Sequence, residues 1–434
     1  MDGYGGSAGA AGVGDGYFPL GGNGGYTVDH YDIKVTYDPA TARLRGDTTV
    51  SAHTTQALSS FHLDLQGLAV SSVAVNGRSA SFAHKGQELT VTPAAALAPG
   101  AAFTARVRYA GKPQPLPNQG GWTPTSDGSF VANEPNGAQT WFPCNNHPSD
   151  KATFAVAITV PKGYTAMSGG LLKATTTAKD MTTYAWVETV PATTYAITAT
   201  IGKFDFSAYT TPSGIPAYNA VAPAQAAAAA PALAQLPSIL DWLIGLLGAY
   251  PFASTGAIVA DQPQIGYAVG TQGRPLFSSA PSTTLLVREL SHQWWGDSVT
   301  VSRWQDLWLE MGFATYTQWL YDEQHGGRTA QQAFDEKYAL PADDPLWSVP
   351  TADPGVPQLF GNAVNIRGGM VLHEVRKAVG DEPFFSLLKS WAAAKRLGNV
   401  STAEFEAYAR SETGVDLNAV FVTWLHTAGK PALA

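Results

Sequence analysis

Two periodicities divide the chain. Across residues 26–206, apolar and polar positions alternate in short runs, YTVDHYDIKVTYD, GDTTVSAHTT, FHLDLQGLAV, ELTVTP and FTARVRYAG, separated by Gly, Pro and Asn. A period of two puts the apolar side chains on one face of a half-buried strand. Residues 17–206 are therefore expected to form one all-β domain. The stretch before it, MDGYGGSAGAAGVGDG, is Gly and Ala rich and is expected to be a flexible tail over residues 1–16. Beyond residue 207 the spacing lengthens to the helical one, first in the Ala- and Leu-rich run AQAAAAAPALAQLPSILDWLIGLLGAYPF, then over residues 282–325 and 365–426. Runs of strands followed by runs of helices predict an α+β chain.

The helical part contains the stretch on which function turns, LLVRELSHQWWGDSVTVSRWQDLWLEMGFATYTQWLY at residues 285–321. In an H-E-x-x-H helix, two histidines four residues apart bind zinc from one face while the Glu between them serves as general base. Here the five positions read Arg288, Glu289, Leu290, Ser291 and His292, so the base and the second His are present and Arg stands at the first ligand position.

The surrounding residues, H-Q-W-W-G-D from His292 and W-L-E-M-G-F-A-T-Y, whose Met311 is separated from His292 by eighteen residues, resemble the aminopeptidase N family of zinc peptidases. The resemblance extends over the chain from Tyr17 and implies a saddle-like N-terminal β-domain (17–206) followed by a thermolysin-like, mainly helical domain (207–434). It implies that the third zinc ligand, the Glu of N-E-G-F-A, is Met311 in this chain. Glu310, one residue earlier, is about 100° around the helix and is expected to face elsewhere. The exopeptidase strand, in its G-Y-x-x-E-T-Q-x-R-P form, reads Gly266, Tyr267, Ala268, Val269, Gly270, Thr271, Gln272, Gly273, Arg274, Pro275, so Gly270 replaces the carboxylate that binds a substrate amine. The Y-x-R-G motif reads Asn365, Ile366, Arg367, Gly368, and Asn365 replaces the oxyanion-stabilising Tyr. In NEPNGAQTWFPCNNHPSDKA, residues 133–152, Glu134 matches the family's second amine-binding carboxylate; a lone Glu in a Pro-rich loop is otherwise a surface group.

Composition narrows the alternatives. With 26 Lys and Arg against 34 Asp and Glu, the formal charge is −8, which disfavours nucleic acid and anionic membranes as partners. The single cysteine, Cys144, cannot form an internal disulfide and reads as a small buried hydrophobe. No run of 18 apolar residues is present to span a bilayer, and the run LDWLIGLLGAY reads as a buried helix. The first residues carry no leader pattern, so a soluble protein is expected, cytoplasmic as written or secreted if a signal peptide has been removed. Neither oligomeric state nor compartment is legible. There is no G-x-S-x-G elbow, phosphate loop or dinucleotide fingerprint. His373, at helical spacing with Val371, Leu372 and Val375, reads as a packed helix histidine.

A catalytic zinc site needs about three protein ligands. Of the three, only His292 remains: guanidinium stays protonated, and thioether suits copper(I) far better than zinc. No metal and no cofactor are expected. Arg288 would place a fixed positive charge near the metal position with Glu289 as its acceptor; it could equally turn to solvent or pair with Glu310. Three readings stay open. The preferred one is a repurposed, metal-independent enzyme acting on a small or peptidyl substrate, with Glu289 as acid or base, Arg288, His292 and Asn365 as polar partners, and Glu134, Tyr267, Gly270, Met311 and Arg367 lining the substrate. The others are a non-catalytic pseudoenzyme binding a peptide or protein, and a residual metallo-aminopeptidase. In each, the ligand is expected in the cleft between the two domains.

Overall fold

The structure, a computed structural model, describes residues 6–433. Its α+β architecture follows the two periodicities. Contacts divide the chain into one unit of residues 1–229 and 252–280 and another of residues 230–251 and 281–434.

The first unit is built on an eight-stranded mixed sheet. In spatial order its strands are Leu171–Ala178, Met181–Thr193, Lys151–Pro161, Tyr26–Asp38, Arg43–Thr54, Ala102–Gly111, Leu68–Val75 and Arg78–Ser79. The strand Tyr26–Asp38 coincides with the alternating run YTVDHYDIKVTYD, and Tyr31, Ile33, Val35 and Tyr37 on its inner face are all but fully buried. The run FHLDLQGLAV divides between Leu58–Asp64 and Leu68–Val75, because Gly67 takes φ +76° and turns the chain. A five-stranded mixed sheet, ordered Asp205–Thr210, Pro216–Val221, Thr255–Val259, Leu276–Phe277 and Ala268–Val269, also lies in this unit. Strand structure thus continues beyond residue 206, through Pro216–Val221, where the sequence pattern turns helical from about 207; the later strand Thr255–Val259 overlaps the run GAIVADQPQIGYAVG, which reads as strand and loop.

Residues 6–16 depart from the expected flexible tail; the remainder of that stretch, 1–5, lies outside the described residues. Ser7 and Ala8 pair in parallel with Leu58–Asp64. Asp15, 6% exposed, accepts from the backbone N–H of Tyr17 and Phe18 and meets His147 Nε2 at 3.1 Å. Asn23 Nδ2 donates to Asp64 at 3.0 Å. Glycine allows this segment to lie so close: a Cβ on Gly6 would meet the Leu58 carbonyl carbon at 2.6 Å. Asp64, fully buried, also accepts from Asn146 N and Gln87 Nε2. Burial lifts its carboxyl to about 8, against the lowering by these donors.

The helices are α1 (Ala226–Leu233), α2 (Leu236–Leu247), α3 (Thr283–Ser291), α4 (Trp308–Gln324), α5 (Ala330–Tyr338), α6 (Asn362–Val379), α7 (Asp381–Ala394), α8 (Thr402–Thr413) and α9 (Asn418–Trp424). Among the described residues no single helix is long and apolar enough to cross a membrane. In the second unit α4 and α6 approach through paired glycines: a Cβ on Gly312 would lie 2.7 Å from the Gly368 Cα. Only glycine at both positions permits this approach, and it brings Met311 on α4 and Asn365 on α6 to the same end of the helix pair. Just before α4, the buried carboxylate of Asp306 accepts through Oδ1 from the N–H and hydroxyl of Thr402, the first residue of α8. Trp308 Nε1 donates to the same hydroxyl at 2.9 Å.

Candidate functional site

Helix α3 begins at Ser282, whose hydroxyl accepts from Leu285 N at 3.2 Å. Its apolar face, Leu286, Val287 and Leu290, is fully buried. Arg288 and Glu289 occupy the last turn, and His292 caps it with helical dihedrals, φ −59° and ψ −19°. The four-residue geometry between positions 288 and 292 is therefore preserved.

Arg288 turns inward. Nη1 donates to Glu289 Oε1 at 2.8 Å, and Nη2 donates to Asn365 Oδ1 at 2.8 Å and lies 3.5 Å from the Met311 sulfur. The guanidinium thus gathers the residues at three of the family's altered or catalytic positions. Its side chain is 19% exposed and that of Glu289 is 2% exposed. Of the alternatives open in the sequence, pairing with Glu289 is the one observed; Arg288 neither turns to solvent nor meets Glu310. The Asn365 amide donates to the carbonyls of Phe360 and Gly361, which fixes its oxygen toward Arg288.

Glu310 does not face away. Its Oε1 lies 3.4 Å from His292 Nδ1, which also sits 3.0 Å from the Trp295 carbonyl. A carbonyl only accepts, so Nδ1 is the N–H donor toward it. Gly296, at φ +112°, makes room for this pairing: a Cβ there would come within 2.3 Å of the Glu310 carboxyl carbon. The helical offset of 100° was read correctly, but Glu310 meets His292 on its Nδ1 side, beside the Trp295 carbonyl of the turn at 293–296. That turn is invisible to helical periodicity, although Gly296 in W-W-G-D was a signal for it.

Arg367 is corrected as well. It is fully buried and donates to the carbonyls of Val349, Thr423, Trp424 and Thr427. Burial lowers its guanidinium to about 10. Four carbonyls from two segments make it a tie for the C-terminal chain, and its full burial keeps it from a substrate. His373 is likewise structural, as expected: the Tyr316 hydroxyl lies 3.0 Å from Nδ1 and Gln331 Oε1 lies 2.9 Å from Nε2.

The donor set does not fit zinc. Nε2 of His292 is suitable, but Arg288 offers only N–H donors and already occupies the first ligand position as a cation, while the Met311 thioether faces that cation. Among the described residues no three His, Cys, Asp or Glu side chains gather in a way that could hold a metal ion.

In the first unit, Glu134 lies half-buried between two pinned residues. Asn133 Oδ1 accepts from Trp141 Nε1 and Asn136 Nδ2 donates to Gln119. Tyr267 is 46% exposed and packs edge-to-face on Phe130 at 5.9 Å. The segment that includes Gly270 is tied down by Arg274, which donates to the carbonyls of Ser168 and Gly170 and to Ser254 Oγ, with its guanidinium 4.6 Å from the Trp186 ring centroid. Cys144 is buried, its thiol pushed up by desolvation and by Asp64; it is the inert hydrophobe expected.

The description "Peptidase M1 N-terminal domain" matches residues 27–196 and "Peptidase family M1 domain" matches residues 276–424. Curated relatives include glutamyl aminopeptidase of Bos taurus, 26% identical over 331 residues, and tricorn protease-interacting factor F2 of Thermoplasma volcanium, 23% identical over 356. These matches cover 69% and 71% of this chain but only 34% and 42% of the relatives, so the chain spans well under half their length. A solved M1 zinc metallopeptidase from Deinococcus radiodurans is similar throughout, with 30% identity, TM-score 0.89 and 98% coverage of both chains. A mutant of it bound to a Tyr-Ser-Ala substrate is similar at 28% identity, TM-score 0.89 and coverage of 98% and 99%. With the two family domains in order and the fold shared end to end, the chain belongs to peptidase family M1, the aminopeptidase N family.

Proposed function

We propose that the M1 active-site position of this chain works without zinc, as a binding site for a small or peptidyl ligand, and that the chain is not an aminopeptidase of the kind its relatives are named for. The supporting observation is the Arg288 guanidinium, held at the first ligand position by Glu289 and Asn365 and facing the Met311 sulfur. A metal ion there would meet a fixed positive charge, and the Glu that would act as base is engaged by that charge. Elemental analysis of the isolated protein should find no stoichiometric zinc, and aminoacyl reporter substrates should release no amino acid. Arg288→His with Met311→Glu should take up about one zinc per chain. One zinc per chain in the parent, or reporter turnover that a chelator abolishes, would overturn the reading.

A metal-independent catalytic role is the second reading, favoured by one observation. His292 keeps its imidazole, with Nδ1 turned to the Trp295 carbonyl, three residues beyond the Glu289 carboxylate at the end of α3. Such a pair can move a proton. If any turnover is detected, Glu289→Gln should abolish it while leaving ligand affinity intact; an unchanged rate would return the site to binding alone.

A further inference from the structure

A cavity of about 370 Å³ opens beside Arg288, within the second unit. Arg288 and Asn365 line it on the side of the candidate site, Trp319 and Ile366 supply apolar surface, and Arg328, Lys337 and Asp322 add charged groups. A volume of this size admits an amino acid or short peptide.

What the wall can still bond decides what it takes. Asn365 is spent at both ends, its oxygen on Arg288 and its amide on Phe360 and Gly361. Three contacts engage Arg288, to Glu289, Asn365 and Met311, out of five N–H donors in a guanidinium. Arg328 and Lys337 share one carboxylate, Glu336, which is not part of the lining, so each keeps further N–H donors. Glu289 lies almost entirely buried behind Arg288 and offers the cavity no acceptor comparable to the cation in front of it. Asp322 is the one anionic group in the lining. The unspent capacity is therefore chiefly donors on three cations, with the Gln318 amide and the Asp322 carboxylate beside them, placed around an apolar patch.

We propose that this cavity recognises a carboxylate carried on an apolar body, with Arg288 as the anchor for the carboxylate, Arg328 and Lys337 as its outer cations, and Trp319 and Ile366 as the surface for the body. Planar guanidinium matches the two oxygens of a carboxylate, and a partly desolvated pairing of this kind is stronger than one in open water. The inference rests on the metal-independent reading above, because a zinc ion at this position would require Arg288 to leave.

The test uses N-acetyl-leucine, whose only charge is its carboxylate, and N-acetyl-leucinamide, which has the same body and no charge, each titrated calorimetrically into the whole chain. The acid should bind at least tenfold more tightly than the amide. Arg288→Met should weaken the acid at least tenfold. Because that variant leaves Glu289 without its partner, Arg328→Ala with Lys337→Ala, at two more exposed positions, provides the independent arm and should weaken the acid several-fold without changing the melting temperature. Equal binding of acid and amide, no binding of the acid, or an unchanged affinity in the double variant would overturn the proposal. Absent carboxylate binding in a protein that also holds no zinc overturns this inference alone; one zinc per chain overturns the reading beneath it.

Discussion

Two buried carboxylates, one in each unit, are handled in opposite ways. Asp64 is fully buried and receives only neutral donors, the amides of Asn23 and Gln87 and the N–H of Asn146. Glu289, equally withdrawn, meets a guanidinium at 2.8 Å. Neutral donors satisfy hydrogen bonds without returning the charge that desolvation opposes, so Asp64 rises to about 8 and joins two strands to the N-terminal segment as a titratable clasp. A cation returns the charge itself. The first arrangement holds a fold together; the second leaves a fixed positive group facing a cavity.

The largest effect separating the two should come from removing the cation. Arg288→Met should cost about 3 kcal/mol, toward the low end of losses for breaking a buried pair because Arg288 is partly exposed. Arg288→Lys should recover part of this, returning the charge but not the second donor arm to Asn365. Urea midpoints measure both, and a Met variant as stable as the parent would erase the distinction between the two carboxylates.

The next effect is in pH. The folded-state carboxyls of Asp64 and Asp150 lie near 8 and 7, raised first by burial from the ordinary 3.8 of an aspartate. The folded state therefore binds more protons, and this contribution is present in acid and lost as pH rises through 7 to 8. Hydrogen exchange in the strands Tyr26–Asp38 and Leu58–Asp64 should show less protection at pH 8.5 than at 5.5, by roughly 1–3 kcal/mol, the usual cost of a poorly compensated buried group. Asp64→Asn should flatten most of that slope; a slope that survives would place its origin elsewhere.

The smallest effect runs the other way in the second unit. His373 is lowered to about 4, chiefly by burial and then by Arg376 and Lys377. Its unfolded form takes a proton near 6.5, so stability is lost as pH falls from 6.5 toward 4. Exchange protection in α6 should decline over that window by about 1 kcal/mol, the scale of one buried hydrogen-bonded group. His373→Gln should remove the decline.

Much of the chain was legible because its signals are local. Alternation located the strand Tyr26–Asp38 to the residue, and the gap of eighteen residues after His292 aligned Met311 opposite Arg288, where the sulfur lies 3.5 Å from the guanidinium. The paired glycines Gly312 and Gly368 were read only as motif letters, yet they set the helix approach that brings Met311 and Asn365 together. The failures share one cause. Arg367 and Glu310 were judged from motif membership and helical azimuth, while their partners are backbone carbonyls and a turn residue that no periodicity reports.

Residue type and spacing along the chain were enough for the family, for the change from strand-rich to helical structure and for the chemical identity of each altered position. Folding in three dimensions was needed to fix where Arg288 points, that Glu310 reaches His292, that Ser7 and Ala8 pair with a sheet strand and that Arg367 is spent on the C-terminal segment. Each of these is a pairing between groups far apart in sequence or across a turn. Its energy comes from desolvation and donor geometry that exist only once the backbone has been placed.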